Sequence, residues 1–334
     1  MRYNDFEGLK ISALGFGTMR LPMDASGAID YDEGERMVAE AMKGGITYFD
    51  TAYRYHEGQS EVFCGKVISK YPRETFMLAD KLPTWLCSTR EDAEKIFAEQ
   101  LEKCNVDYFD FYLMHAQNKA RFRYFKERNA YETAIELKKE GKIRHFGISF
   151  HDRAEVLDAI LSEYPQIEVV QIQFNYLDYD DIGVQSRKCY EVCRKHNKPV
   201  LVMEPVKGGS LVKLPDEAQR IFASLNGGSP ASYAIRFAAG FPGMLVVLSG
   251  MSSIEQLRDN ISYMSDFKPL DKTETEAVEK VRGVYKGMEL IPCTACRYCT
   301  DGCPKHIAIP DLFALMNAKQ LHRDWNANYY YSNI

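Results

Sequence analysis

Two sets of residues in this chain have types and spacings that suit chemistry. The first lies near the C-terminus, in CTACRYCTDGCPKHIAIP, where Cys293, Cys296, Cys299 and Cys303 follow the pattern C-x2-C-x2-C-x3-C-P. Four thiolates at that spacing with a proline behind the last form a bacterial iron–sulfur ligand run, with a [4Fe–4S] cluster as the expected occupant. The fourth Cys of such a run can serve a second cluster, so either Cys303 or a distant ligand would complete a single one. A zinc site is the alternative, but zinc favours paired C-x2-C groups separated by a longer loop. The second set is spread over 66 positions of the N-terminal half. Asp50 ends YFD, Tyr55 follows in FDTAYRYHEG, Lys81 ends LADK and His115 ends YLMH. These are side chains that hold or move protons. Each alone is more often a solvated or structural group; an Asp, a Lys and a His at three successive run ends point to a shared site.

Such a site needs elements that bring the run ends together. Short apolar runs rich in Val, Ile, Phe and Tyr alternate with amphipathic stretches to about residue 265: ALGFGT, TYFDTA, TFMLADK, FDFYLMH, HFGIS, VVQIQF, VLVMEP and LVVLSG. Buried parallel strands read this way. Between them lie helical stretches such as DEGERMVAEAMKGG, STREDAEKIFAEQLEKCN, TAIELKKEGK and RAEVLDAILSEY, the second capped by Ser88 or Thr89. Strict alternation of strand and helix predicts a parallel sheet, and eight units close a barrel. An open doubly wound sheet would announce itself by G-x-G-x-x-G after its first strand, whereas this turn reads GFGTMRLP. The expected fold class is therefore α/β, a (β/α)8 TIM barrel over residues 1–270. A linker helix and the ferredoxin-like cysteine tail should follow over 271–334.

Composition sets the outer limits. A length of 334 residues suits one barrel of ~250 residues plus an appendage. The net charge of -5 argues against nucleic acid as a partner, because a binder carries a basic stripe. No apolar h-region opens the chain and no run approaches ~18 apolar residues, so neither export nor a membrane span is expected. Nine cysteines without a secretion signal imply reduced thiols and a cytoplasmic location. Cys189 and Cys193, one helical turn apart, read as core residues, and Cys87 in KLPTWLCS reads as a loop residue.

The stretches GFGTMRLP, YFDTAYRYHEGQSE, ADKLP, YFDFYLMH, FGISFH and LVVLSGMSSIEQLRDN, in this order, resemble the aldo-keto reductase superfamily over nearly all of residues 1–265. The tail resembles that of a subgroup with a C-terminal ferredoxin-like cysteine motif. The resemblance implies an NAD(P)H-dependent reductase of a small aldehyde or ketone. Tyr55 would be the general acid, Lys81 would lower its pKa, Asp50 would hold Lys81, and His115 would position the carbonyl oxygen. It also implies a cofactor path. Ser149 and Gln171 would hold the nicotinamide amide, with Phe150 where many members have Asn. Met203 would pack on the ring, and Gly208, Gly209, Ser210 and Leu211 would offer backbone amides to the pyrophosphate. Ser252, Ser253, Gln256 and Asn260 would face the adenosine end. NADP(H) is the implied cofactor, and NAD(H) is the alternative because Gly250, Met251 and Gln256 bring no charge for a 2′-phosphate. The tail would be either a structural staple or a route for electrons to a redox protein partner. A different class of function is an electron-transfer or nucleotide-sensing module in which the barrel binds cofactor without turnover. Arg121, Arg123 and Arg128, in the loop expected after His115, suit either an anionic substrate or a solvated charged surface.

Overall fold

The computed structural model describes residues 1–225, 227–288, 291, 293, 298–301, 303–322 and 326–332. Its first element is a hairpin that the sequence reading did not anticipate, β1 (Tyr3–Phe6) and β2 (Leu9–Ser12). The two-residue turn between them places Glu7 and Gly8 at φ 49° and 83°, the backbone that a tight hairpin of matching twist requires. The hairpin closes the N-terminal mouth of a barrel. Phe6 lies 4.9 Å from the His145 ring, and the Asn4 amide donates to the carbonyl of Leu245 at 2.7 Å.

The barrel strands are β3 (Leu14–Gly17), β4 (Tyr48–Asp50), β5 (Met77–Leu82), β6 (Phe109–Gln117), β7 (Ile143–Phe150), β8 (Val169–Gln173), β9 (Val200–Met203) and β10 (Met244–Gly250). They are parallel, and β10 pairs with β3 to close the ring. All eight coincide with the runs read from the sequence. Side chains alternate between the two faces, so one register decides what the barrel lumen contains. Tyr48, Ala79, Phe111, Leu113, Val169 and Leu201 fill it, while Phe49, Tyr112, Phe146, Ile148, Val170 and Val202 face the helices. Counting on by two from the inner set gives Asp50, Lys81, His115, Gln171 and Met203, and Ser149 joins them because its neighbours Ile148 and Phe150 face the helices. The same alternation that packs the lumen thus carries six of the expected site residues to its C-terminal rim, where barrel enzymes keep their chemistry.

Two of the helices show how the sequence offers a cap. Asp30 accepts from the Glu33 amide at the start of Tyr31–Lys43, and Thr89 with Asp92 forms a capping box at the start of Arg90–Cys104. Cys189 and Cys193 are buried on Ser186–Lys195, as their spacing suggested, and Cys87 is a buried core residue. Helix Lys272–Gly287 packs Ala277, Val278, Val281 and Tyr285 against Leu211, Ala218, Phe222 and Tyr233 of the barrel body. Of residues 120–130, expected as a loop, 120–126 instead belong to helix Lys119–Lys126, while Arg128 stays in the turn that follows. The side chain of Asn118 accepts from the Arg121 amide at its start, and Phe125 is buried beneath it.

The tail lies on the C-terminal rim. Helix Ile309–His322 is tied down by a 2.9 Å ion pair between Arg153 and the buried Asp311. The short helix Asn326–Tyr331 follows, and the Tyr329 hydroxyl donates to the carbonyl of Ala116 at 2.5 Å. Leu315 and Tyr330 share a small apolar cluster with Val184. Among the described residues, no helix is long and apolar enough to cross a membrane.

Candidate active site

Lys81 is the centre of the site. It is fully buried, and its ammonium reaches Asp50 Oδ1 at 2.6 Å, the Thr51 carbonyl at 2.7 Å and the Tyr55 hydroxyl at 3.4 Å. Burial works to lower its pKa, but Asp50 and Tyr55 push it up to about 12. Burial also raises the Asp50 carboxyl, against the pull of Lys81. The two directions differ on whether the pair is charged. The 2.6 Å contact, with a second bond to Asp50 Oδ2 from Gln171 at 3.2 Å, decides for the ionised pair. Tyr55 stands on a short turn, Tyr55–Gly58, that begins beyond β4 and is bent by positive φ at His56 and Glu57. Its phenol departs from the expectation of a lowered pKa. Burial raises it, and Lys81 opposes that shift without overcoming it. The phenol is therefore protonated through the neutral range.

His115 sits beside a bulge between Met114 and Gln117, where Ala116 has φ 53°. Such irregularities re-aim side chains at barrel rims. The His115 ring lies 6.2 Å from that of Tyr55, edge to face, and 5.2 Å from that of Trp85. Burial, then the positive charge of Lys81, holds its pKa well below the usual histidine range, so it is neutral at pH 7. A neutral imidazole here can donate one hydrogen bond to an oxygen without competing for the Tyr55 proton.

The cofactor residues divide. Ser149 pairs in register with Gln171 on the inner rim, and its hydroxyl accepts from the Ala116 amide at 2.7 Å. Phe150 turns outward into the core, so the departure from Asn removes a contact without obstructing the lumen. Met203 is half-buried at the end of β9. Gly208 and Gly209 have φ 61° and 100°, conformations that glycine adopts without strain. The amides of Gly209, Ser210 and Leu211 bond to carbonyls of Val206 and Lys207 within the loop, and Leu211's side chain is core. At the far end, Ser253 caps helix Ile254–Ser265, Ser252 donates to the Arg20 carbonyl, and the Gln256 side chain accepts from the Ser252 amide. Asn260 bonds Ser249 at 2.7 Å and Tyr263 at 2.5 Å. Arg258 points away, to Glu40 at 3.1 Å.

Three residues of the site were missed. Arg20, in GFGTMRLP, lies between Gly250 and the Gly208 loop. A Cβ on Gly250 would lie 2.8 Å from its Cγ, and one on Gly208 would lie 4.0 Å from its Nη2. His151 lies two positions beyond Ser149, so the alternation already placed it inward. Burial, Arg121 and Lys81 hold it neutral, with a pKa of about 3. Tyr329 covers His151 at 5.2 Å between rings, and no pattern in the tail announced that contact.

The thiol run is only partly described, because Cys296 lies outside the described residues. The backbone N–H of Ile307, with those of Lys305 and His306, points at Cys303 and lowers its thiol pKa. Cys293 lines a cavity of about 460 Å³ beside Lys207, Arg282 and Tyr330, next to the site rather than in it. Among the described residues, the one group of potential metal ligands within 4.8 Å of one another is Glu7, His145 and Glu168 at the opposite mouth. Cys293, Cys299 and Cys303 are not gathered to that distance.

Comparison with known proteins follows the same lines. The NADH-specific methylglyoxal reductase of Escherichia coli strain K12 is 25% identical over 222 residues, 61% of this chain and 66% of that protein, just under two thirds of its length. L-galactose dehydrogenase of Arabidopsis thaliana is 24% identical over 301 residues, covering 84% of this chain and 92% of its own. Among solved structures, the holo form of aldo-keto reductase AKR11C1 from Bacillus halodurans superposes with a TM-score of 0.68 at 25% identity. It covers 84% of this chain and 95% of that one. The model of the aldo/keto reductase family matches residues 13–282, from the first barrel strand into the helix that completes the barrel body, and the chain belongs to that family.

Proposed function

We propose that this protein is an NADP(H)-linked reductase of a small aldehyde or ketone. One observation carries the reading: a buried ammonium held by Asp50 and lying within reach of the Tyr55 phenol, on the lumen rim of a barrel. When bound, the nicotinamide supplies hydride. The chain's own residues supply the rest. His115 donates a hydrogen bond to the carbonyl oxygen and fixes its distance from Tyr55. As negative charge grows on that oxygen, Tyr55 passes it the phenolic proton, and Lys81 stabilises the phenolate that remains. Asp50 keeps Lys81 charged and in place. The test is isotopic. With NADPH deuterated at C4 and a panel of small aldehydes, deuterium is expected at the carbinol carbon of the product. Its absence from that carbon, with NADPH bound, would rule out direct hydride transfer.

Arg20 favours a phosphate-bearing cofactor. It is a cation placed between the glycine loop and the β10 loop, and among the described residues it has no carboxylate partner. Changing Arg20 to Ala is expected to weaken NADPH binding about 10- to 100-fold, the range for a charge-assisted contact. NADH binding should weaken less if Arg20 reaches the 2′-phosphate. Fluorescence titration of both cofactors checks this.

The tail is read as a [4Fe–4S] site formed by Cys293, Cys296, Cys299 and Cys303. The spacing supports it, and so do the backbone amides that favour a thiolate at Cys303. Bound there, the cluster would hold the tail together; no step of carbonyl reduction needs it. Iron and sulfide analysis after anaerobic purification tests this reading, and a colourless protein with stoichiometric zinc would overturn it. Buried free thiols at Cys64, Cys104, Cys189 and Cys193 suit a reducing compartment such as the cytoplasm.

A further inference from the structure

Arg121 is a half-buried cation that hydride transfer does not use. Its guanidinium lies between two aromatic rings, 4.8 Å from the centre of Trp85 and 5.0 Å from that of Tyr329. One of its N–H groups donates to the Ala116 carbonyl at 3.1 Å, the residue next to His115. The same two rings touch the imidazoles of the site: Trp85 lies 5.2 Å from His115, and Tyr329 lies 5.2 Å from His151. Three parts of the chain, the loop after β5, the helix after β6 and the tail, therefore converge to hold one positive charge beside the reacting oxygen.

The pattern of counter-ions on that helix is informative. Arg123 pairs with Glu127, and Lys126 pairs with Glu163. Arg121 has no carboxylate partner among the described residues. Lys119, exposed at the start of the helix, likewise has no carboxylate partner among the described residues; Arg121 differs from it in being half-buried against two aromatic rings. A guanidinium flanked by two rings keeps N–H donors in a planar fork, and that fork matches the two oxygens of an oxyanion. His115 and His151 are both held neutral, chiefly through burial and then through the nearby cations Lys81 and Arg121. Lys81 is paired with Asp50, which leaves Arg121 as the cation without a carboxylate partner beside these two rings among the described residues.

We propose that Arg121 is the anion-recognition residue of the substrate pocket, and that the aldehyde or ketone reduced here also carries an oxyanion, a carboxylate or a phosphate. This rests on the reductase reading above. Trp85 and Tyr329 flank the guanidinium and fix its place, so the tail takes part in choosing the substrate.

The test compares charged and neutral members of matched pairs: 4-oxobutanoate against its methyl ester, and glycolaldehyde phosphate against glycolaldehyde. In the unaltered protein the charged member of one pair should have a kcat/KM about 10- to 100-fold higher, and which pair shows this identifies the oxyanion. Arg121→Gln should bring that ratio to within about threefold, and Arg121→Lys, which keeps the charge but not the fork, should leave it intermediate. A second readout needs no turnover. Succinate and inorganic phosphate are titrated calorimetrically into the NADP⁺-loaded protein, and one of them should bind at least about tenfold more weakly to Arg121→Gln. The proposal is overturned if neither the ratio nor either titration depends on Arg121. Absence of NADPH oxidation with all four carbonyls, alongside Arg121-dependent anion binding, would instead reject the reductase reading and leave the anion site standing.

Discussion

Replacement of Tyr55 by Phe should lower kcat for carbonyl reduction about 10²- to 10⁴-fold, the range that a positioned general acid contributes. The ring stays, so the edge-to-face contact with His115 is kept; only the hydroxyl that faces Lys81 is lost. Cofactor affinity should therefore change little, and a parallel NADPH titration separates lost chemistry from lost binding. The pH dependence follows from the directions of the two nearby shifts. The Tyr55 pKa is raised above its ordinary value of 10.0, so the acid is protonated through the neutral range. The His115 pKa lies well below its ordinary 6.5, so that ring stays neutral over the same span. Reduction should accordingly be flat from about pH 7 to 9. A rate that fell with a midpoint near 7 would mean that some other group donates the proton.

The second large effect is expected for Lys81→Met, in both stability and rate. Removing one partner of a buried pair costs about 3–5 kcal/mol, because the other charge is left without compensation. Asp50 would keep only the Gln171 amide at 3.2 Å. Adding Asp50→Asn to Lys81→Met should recover much of the stability, since both charges are then gone, but none of the activity. Denaturant unfolding of the three variants gives the coupling energy directly. If the two substitutions simply add, the ion pair is not what holds the rim. The sign of the pH effect is fixed as well. The folded-state pKa of Lys81 is raised from 10.5 to about 12, so its contribution is fully present below 10.5 and fades as pH rises through 12. The deficit of Lys81→Met should thus be constant across the neutral range.

What could be read from the sequence was whatever obeyed a short period. The eight strands were legible because each buried run is brief and rich in Val, Ile, Phe and Tyr. The rim residues were legible because alternation extends from the lumen to the last residue of each strand. His151 obeys the same rule, and only attention to Ser149 and Phe150 left it unread. The Glu7–Gly8 turn was legible in principle, since a Gly in a two-residue turn between alternating residues signals a hairpin. Two features escaped for better reason. The charge density of KARFRYFK suggests a loop for Arg121; Asn118 capping and the burial of Phe125 outweigh that composition. The docking of Tyr329 depends on a bulge at Ala116 that frees a carbonyl, and no local pattern links residues 213 positions apart.

That separation has a consequence for synthesis. The ribosome releases the strands carrying Asp50, Lys81 and His115 well before it reaches residues 326–332. Until then the rim lacks its outer wall, and Arg121 has a ring on one side only. The barrel of a nascent or clipped chain can fold and hold its charged pair, yet it cannot present the finished mouth. Closing a loop of 213 residues is entropically costly but grows only slowly with length, so late docking is affordable. A protease that cuts between the helix ending at Gly287 and Tyr329 would therefore be expected to spare the fold and open the mouth. The finished mouth thus depends on helix Asn326–Tyr331.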